Sequence, residues 1–199
     1  MYILKELPYH YEELEPYIDT HTLALHKNKH QQNYLNKLNE FLVKNNYNYK
    51  HNIVELNYHL DLFPKENREE ILFNLGGVIN HYIYFNSMSP NKTKPNKKFI
   101  EKINKEFQSY ENFKKVFKDE AMKLKGSGYT YLVIDKDNNV KIINLTNQDN
   151  PYNYNLIPLI CIDLWEHAYY INYENKKDLY IDNFLEILDF SFANNYFIT

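Results

Sequence analysis

The chain is 199 residues long, with Lys+Arg 23 against Asp+Glu 26 and a net charge of −3. That balance lacks the basic excess by which nucleic-acid binders neutralise phosphates, and the single cysteine, Cys161, excludes an intramolecular disulfide or a thiolate zinc cluster. No apolar run approaches the roughly 20 residues of a membrane span, and the opening residues lack a signal-peptide pattern. The expectation is a soluble, cytoplasmic protein with neither nucleic acid nor membrane as partner.

The composition is skewed: 29 Asn and 22 Lys stand against one Arg, four Gly and one Trp. Residues with AT-rich codons dominate, so the Asn richness reads as coding bias rather than a prion-like segment. A hydrophobic content of 44% and an aromatic content of 17% support a packed core. Against this background the scarce residues stand out: Gly76-Gly77, Gly126, Gly128 and Trp165.

In chain order, residues 20–42 predict a long helix, with Leu23, His26, His30, Tyr34 and Leu38 at three- and four-residue spacing and Thr20 as its cap. Residues 51–61 predict a short helix. Pro64 opens another, running to about Met88, with Glu66, Glu69 and Glu70 in favourable positions near its start. Residues 89–96 carry two prolines and read as a linker. Two helices follow over 97–125, divided near Ser109 and Asn112. Residues 129–134 and 140–145 predict a β-hairpin turning at Asp137-Asn138-Asn139, residues 157–162 a third strand, and 178–189 a last helix. The fold class is α+β: an N-terminal long α-hairpin domain over 1–89, then a mixed domain over 90–199 with a small three-stranded antiparallel sheet surrounded by helices.

Four side chains suit a metal site: His26 on the first helix, His81 on the second long helix, and Asp163 and His167 at the end of the third strand and just beyond it. Three imidazoles and a carboxylate, without sulfur, suit Mn, Fe or Zn. Spacing alone also favours His26 with His30, which share a helix face. The remaining histidines, His10, His21, His51 and His59, lack ligand-like companions, and Cys161 reads as core.

The segments LPYHYEELEPYID, LHKNKHQQNY, LGGVINHYIYF, GSGYTYLV, NQDNP and CIDLWEHAYYINYENKKDLY occur in the order, and at close to the spacing, of the iron/manganese superoxide dismutases. The chain resembles that family over nearly its whole length. The resemblance implies a single metal site between the two domains, with His26, His81, Asp163 and His167 as ligands and a solvent molecule as the fifth. It implies one Mn ion per subunit, with Fe as the alternative, and superoxide as substrate. His30 falls outside the ligand set. The implied roles are Gln148 as hydrogen-bond partner of the bound solvent, Tyr34 as the phenol linking it toward solvent, and His30 as the link onward to Tyr170 of the partner subunit. The resemblance further implies a homodimer in which Glu166 reaches across the axis to His167 of the partner subunit, with pairing of dimers into tetramers left open. Lys29, Lys176 and Lys177 are candidates for steering the anion.

In the family's iron type the glutamine comes from the position held here by Gly77. Gln148 in a later loop is the manganese arrangement, for which Gly77 leaves room, whereas Tyr84 is an iron-type choice; on balance Mn is favoured. Gly126 and Gly128 bracket Ser127 near the expected dimer interface. Relatives usually carry Trp where this chain has Phe85, Tyr129 and Tyr131, and the two phenols need hydrogen-bond partners if buried. The alternatives are a catalytically weak, metal-binding dimeric member of the family and a zinc hydrolase using the same His/Asp set.

Overall fold

The computed structural model describes residues 1–197. The first long helix is capped by Asp19 rather than by Thr20: its Oδ1 accepts from the Thr22 N–H at 2.9 Å. It comprises α1 (Thr20–Leu25) and α2 (Gln32–Lys44), joined without a break by a π-helical turn, His26–Gln31. Leu35, Leu38 and Leu42 of α2 are buried, and α2 packs on the other long helix, α4 (Lys65–Phe85), to make the hairpin. The middle of α4 is buried almost continuously from Asn74 to Phe85, which explains its weak amphipathic pattern.

Between them, α3 (Ile53–Leu56) is shorter than the predicted 51–61. A capping box fixes its start, with Asn52 accepting from the Val54 and Glu55 amides and Glu55 accepting from Asn52 N at 2.9 Å. The chain then makes one 3₁₀ turn, Leu60–Leu62. The lone arginine, Arg68, holds this loop by donating to the carbonyls of Phe63 at 2.9 Å and Asp61 at 3.2 Å.

Helix α4 stops at Phe85, short of the expected Met88, because residues 87–89 pair with the C-terminal segment instead. Ser89 N donates to Ile187 O at 3.0 Å and Asp189 N to Ser87 O at 2.9 Å. The same pairing ends α8 at Glu186 rather than 189. Helices α5 (Lys97–Phe107) and α6 (Tyr110–Lys123) begin at Asn96 and Ser109, each of which caps its helix with a side-chain oxygen.

The sheet has order β2-β1-β3 and is antiparallel throughout, formed by β1 (Gly128–Ile134), β2 (Val140–Thr146) and β3 (Ile157–Asp163). Strand β1 is buried along its whole length between its neighbours. Its register sets Tyr129 opposite Asp163 and Tyr131 opposite Cys161. Helices α7 (Tyr170–Tyr173), α8 (Lys177–Glu186) and α9 (Ser191–Asn194) complete the second domain. Helix α4 of the first domain packs on β3 of the second, which brings His81 to within 3.8 Å of Asp163. Among the described residues, no helix is long and apolar enough to cross a membrane.

Candidate metal centre

His26 opens the π-helical turn, His81 lies in the buried stretch of α4, Asp163 ends β3, and His167 sits in a single 3₁₀ turn, Glu166–Ala168. One ligand atom from each of these four lies within 4.8 Å of all the others, the only such cluster among the described residues. Asp163 Oδ2 stands 3.1 Å from His26 Nε2, 3.8 Å from His81 Nε2 and 3.7 Å from His167 Nε2. Its other oxygen, Oδ1, accepts from the Trp165 N–H at 2.8 Å, so only Oδ2 faces the imidazoles.

His81 is prepared in the same sense. His81 Nδ1 lies 2.5 Å from the Gly77 carbonyl; a carbonyl only accepts, so the proton is on Nδ1 and Nε2 carries a lone pair. That Nε2 is buried without a hydrogen-bond partner, as is Nε2 of His167. Orphaned nitrogens of this kind are rare in a folded interior, and a cation placed among them satisfies both. Burial pushes His81 well below the usual imidazole range and lowers His26, despite the neighbouring carboxylate. Burial alone would raise Asp163, but the neighbouring imidazoles of His167 and His26, the latter within hydrogen-bond distance, overcome that and hold it far below the ordinary carboxylate range. Neutral His81 and His26 beside an ionised Asp163 are the protonation states a metal requires of these ligands. The residues fit Mn, Fe or Zn.

Around this cluster, Tyr34 and Gln148 are hydrogen-bonded, with Gln148 Nε2 donating to the phenol at 3.0 Å. The Tyr34 ring is 5.5 Å from the His81 ring, and burial raises its phenol above the ordinary value. The glycine pair serves both residues, but not in the expected way. A methyl group on Gly77 would fall closer than 3.0 Å to the Tyr34 ring, and one on Gly76 would strike the backbone carbonyl of Gln148. It is therefore Gly76 that makes room for the Gln148 segment, while Gly77 makes room for Tyr34.

His30 stacks on His167 and is held to about pKa 4 by burial and by its neighbours His167 and His26. Its ring does not enter the donor cluster. Glu166 and Tyr170 are exposed beside His167, Tyr170 by 51%. The Tyr129 hydroxyl finds its partner in Gln148 Oε1 at 3.0 Å, whereas the hydroxyl of buried Tyr131 has none. Phe85 packs edge-on against His26 at 5.1 Å between ring centroids.

Lys177 is not free for steering: its ammonium donates to the carbonyls of Leu124 at 3.1 Å and Ala121 at 3.4 Å, closing the end of α6. Lys29 and Lys176 are exposed. Two contributors escaped the sequence reading. The Tyr180 hydroxyl donates to the Asp163 carbonyl at 2.9 Å and stands 3.0 Å from that of Tyr84. Asn80 reaches Gln148 Oε1 at 3.3 Å. Asn80's position next to His81 was the one available signal; for Tyr180 the helical pattern gave none.

Comparison with known protein families identifies this architecture. Residues 1–89 match the alpha-hairpin domain of iron/manganese superoxide dismutases, and residues 95–196 match the C-terminal domain of the same family. The chain belongs to the iron/manganese superoxide dismutase family. Its members are oxidoreductases that act on superoxide with Mn or Fe, and the His26/His81/Asp163/His167 cluster fits such a metal.

Proposed function

We propose that this chain is a superoxide dismutase that converts two superoxide anions and two protons to O2 and hydrogen peroxide. The observation that carries the reading is the meeting of three imidazole nitrogens and one carboxylate oxygen within 4.8 Å, beside a hydrogen-bonded Tyr34–Gln148 pair. In this reading His26, His81, Asp163 and His167 hold the ion. When bound, the ion supplies a one-electron couple between the +3 and +2 states, which zinc lacks.

The remaining work belongs to the protein. Gln148 and Tyr34 form a polar path beside the buried cluster, suited to delivering protons, and Gly77 leaves the space that Tyr34 occupies. Lys29 and Lys176, exposed and cationic, favour approach of a small anion. Mn is the preferred metal, with Fe as the alternative. Gln148 coming from the loop after β2, with glycine at position 77, supports this choice against the iron-type Tyr84. One ion per subunit follows from the single cluster among the described residues.

Exposure of Glu166, Tyr170 and Ile171 next to His167 supports a homodimer in which these residues meet the partner, with Glu166 and Tyr170 completing the site. A division at residues 89/90 assigns His26 and His81 to one domain and Asp163 and His167 to the other. The test is metal content and superoxide turnover of the purified protein after separate loading with Mn and Fe. Bound Mn or Fe without turnover would replace this reading by a metal-holding protein, and native zinc with hydrolase activity would replace it by a hydrolase.

A further inference from the structure

A carboxamide is nearly symmetric in shape, so Gln148 can sit in its pocket either way round unless its neighbours forbid one orientation. Here they do. The chain of constraints starts at the backbone carbonyl of Asp149, which can only accept. Asn80 Nδ2 donates to it at 3.1 Å, which fixes Asn80: turned over, its Oδ1 would face that carbonyl. The same Nδ2 donates to Gln148 Oε1 at 3.3 Å, and the Tyr129 hydroxyl donates to that oxygen at 3.0 Å. All three side chains are buried. An inverted Gln148 would set its NH2 against the NH2 of Asn80 with no acceptor between them, an arrangement that buried amides avoid.

We propose that Asn80 and Tyr129 are positioning residues that fix the sense of the Gln148 amide, so that Nε2 always lies on the Tyr34 side. The consequence reaches Tyr34. Because Nε2 donates to its oxygen at 3.0 Å, Tyr34 is the acceptor of that bond, and its own O–H is left for the pocket. The two holders are unequal. A phenol can donate or accept, so Tyr129 alone would tolerate either orientation of Gln148. The amide of Asn80, pinned by a backbone carbonyl, would not. Asn80 decides the sense and Tyr129 reinforces it.

This inference rests on the superoxide dismutase reading for its effect on turnover, but not for its geometry. The test compares the Mn- or Fe-loaded wild type with Asn80→Leu, Tyr129→Phe and the double variant Asn80→Leu/Tyr129→Trp. Asn80→Ala stands in should leucine not be accommodated. Metal content, kcat and KM, the midpoint potential of the loaded enzyme and the Gln148 contacts in crystal structures are read for each.

Asn80→Leu is expected to lower kcat by about 10-fold or more with metal still bound, to shift the potential, and to loosen or invert the Gln148–Tyr34 contact. Tyr129→Phe should do less. Tyr129→Trp in the Asn80→Leu background should recover most of the loss, because an indole N–H can only donate. The proposal is overturned if Asn80→Leu stays within about twofold of wild type in kcat with an unchanged potential. It is equally overturned if Tyr129→Phe costs more than Asn80→Leu. An inactive wild type would overturn the functional reading instead, and the crystallographic sense of Gln148 in the Asn80 variants would still decide the proposal.

Discussion

The imidazole of His30 lies flat on that of His167, with ring centroids 4.1 Å apart and 9° between their planes. His30 therefore supports a proposed ligand without being one, and the four donor atoms remain when it is removed. His30→Ala is expected to keep its metal while turnover falls by about 10-fold or more, the usual cost of losing a residue that orients a ligand. Elemental analysis and a superoxide assay on the same sample check this; loss of the metal together with activity would make His30 a direct contributor to binding.

Binding and turnover should separate cleanly at two other residues. His81→Ala removes a nitrogen that has no other partner and should leave protein with little Mn or Fe and no activity. Gln148→Leu preserves the four donors and should retain the ion, yet lose turnover by about 10- to 100-fold. Near-normal turnover in Gln148→Leu would contradict the role assigned to Gln148.

The adjacent glycines should fail in different ways. Alanine normally improves a helix interior by about 1 kcal/mol over glycine, but both sites lack the room. At Gly76 the obstacle is the Gln148 backbone, so Gly76→Ala should destabilise by about 1–3 kcal/mol, the usual cost of overpacking. At Gly77 the obstacle is the Tyr34 ring, met at its attachment carbon Cγ, so the whole ring must shift. Gly77→Ala should therefore cost comparable stability and in addition break the Tyr34–Gln148 hydrogen bond, lowering turnover. Denaturant unfolding alongside kinetics tells the two apart.

The hairpin turn offers a pH test away from the metal site. Asp135 Oδ1 accepts from the amides of Asn139 and Asp137, each at 2.9 Å, and the bond from Asn139 leads the interactions that hold its carboxyl below the usual value. A carboxylate depressed in the folded state contributes stability above its unfolded pKa and loses it as pH falls through the folded one. Wild type should thus lose part of its thermal stability on acidification below about pH 4. Asp135→Asn should start lower at neutral pH and lose less. Equal slopes for the two proteins would remove Asp135 from the account.

Much of this molecule was legible before the structure. The order of the predicted helices and strands, the turn at 137–139 and the four donor residues stand where the sequence put them, whereas the one-turn helices α7 and α9 had no counterpart. What escaped was decided by contacts between distant segments. The ends of α4 and α8 depend on the pairing of 87–89 with 187–189, which no local pattern announces. Lys177 looked like a surface charge until its ammonium was found on the α6 carbonyls. The glycine pair was correctly singled out but misassigned, since neighbouring helix positions face about 100° apart and only packing tells which one meets which partner. Asn80 had no signature beyond its place next to His81; its importance comes from a loop almost seventy positions later, as its Asp149 bond has a separation of 69.

The π-helical turn at His26–Gln31 makes the first long helix a two-part ruler. Its wider loop holds one residue more than an α-turn would, so everything after it is rotated relative to everything before. Deleting a single residue there, such as exposed Asn28, would close the same turn with one residue fewer and leave α1 and α2 in phase. Forcing the six residues into regular α-geometry without a deletion would instead turn α2 by about 100° against α1, so that the face bearing Leu23 and His26 and the face bearing Tyr34, Leu35 and Leu38 would no longer look inward together. The irregular turn is thus a phase adjuster: it absorbs one residue so that one continuous helix presents a metal donor at one level and a phenol at the next.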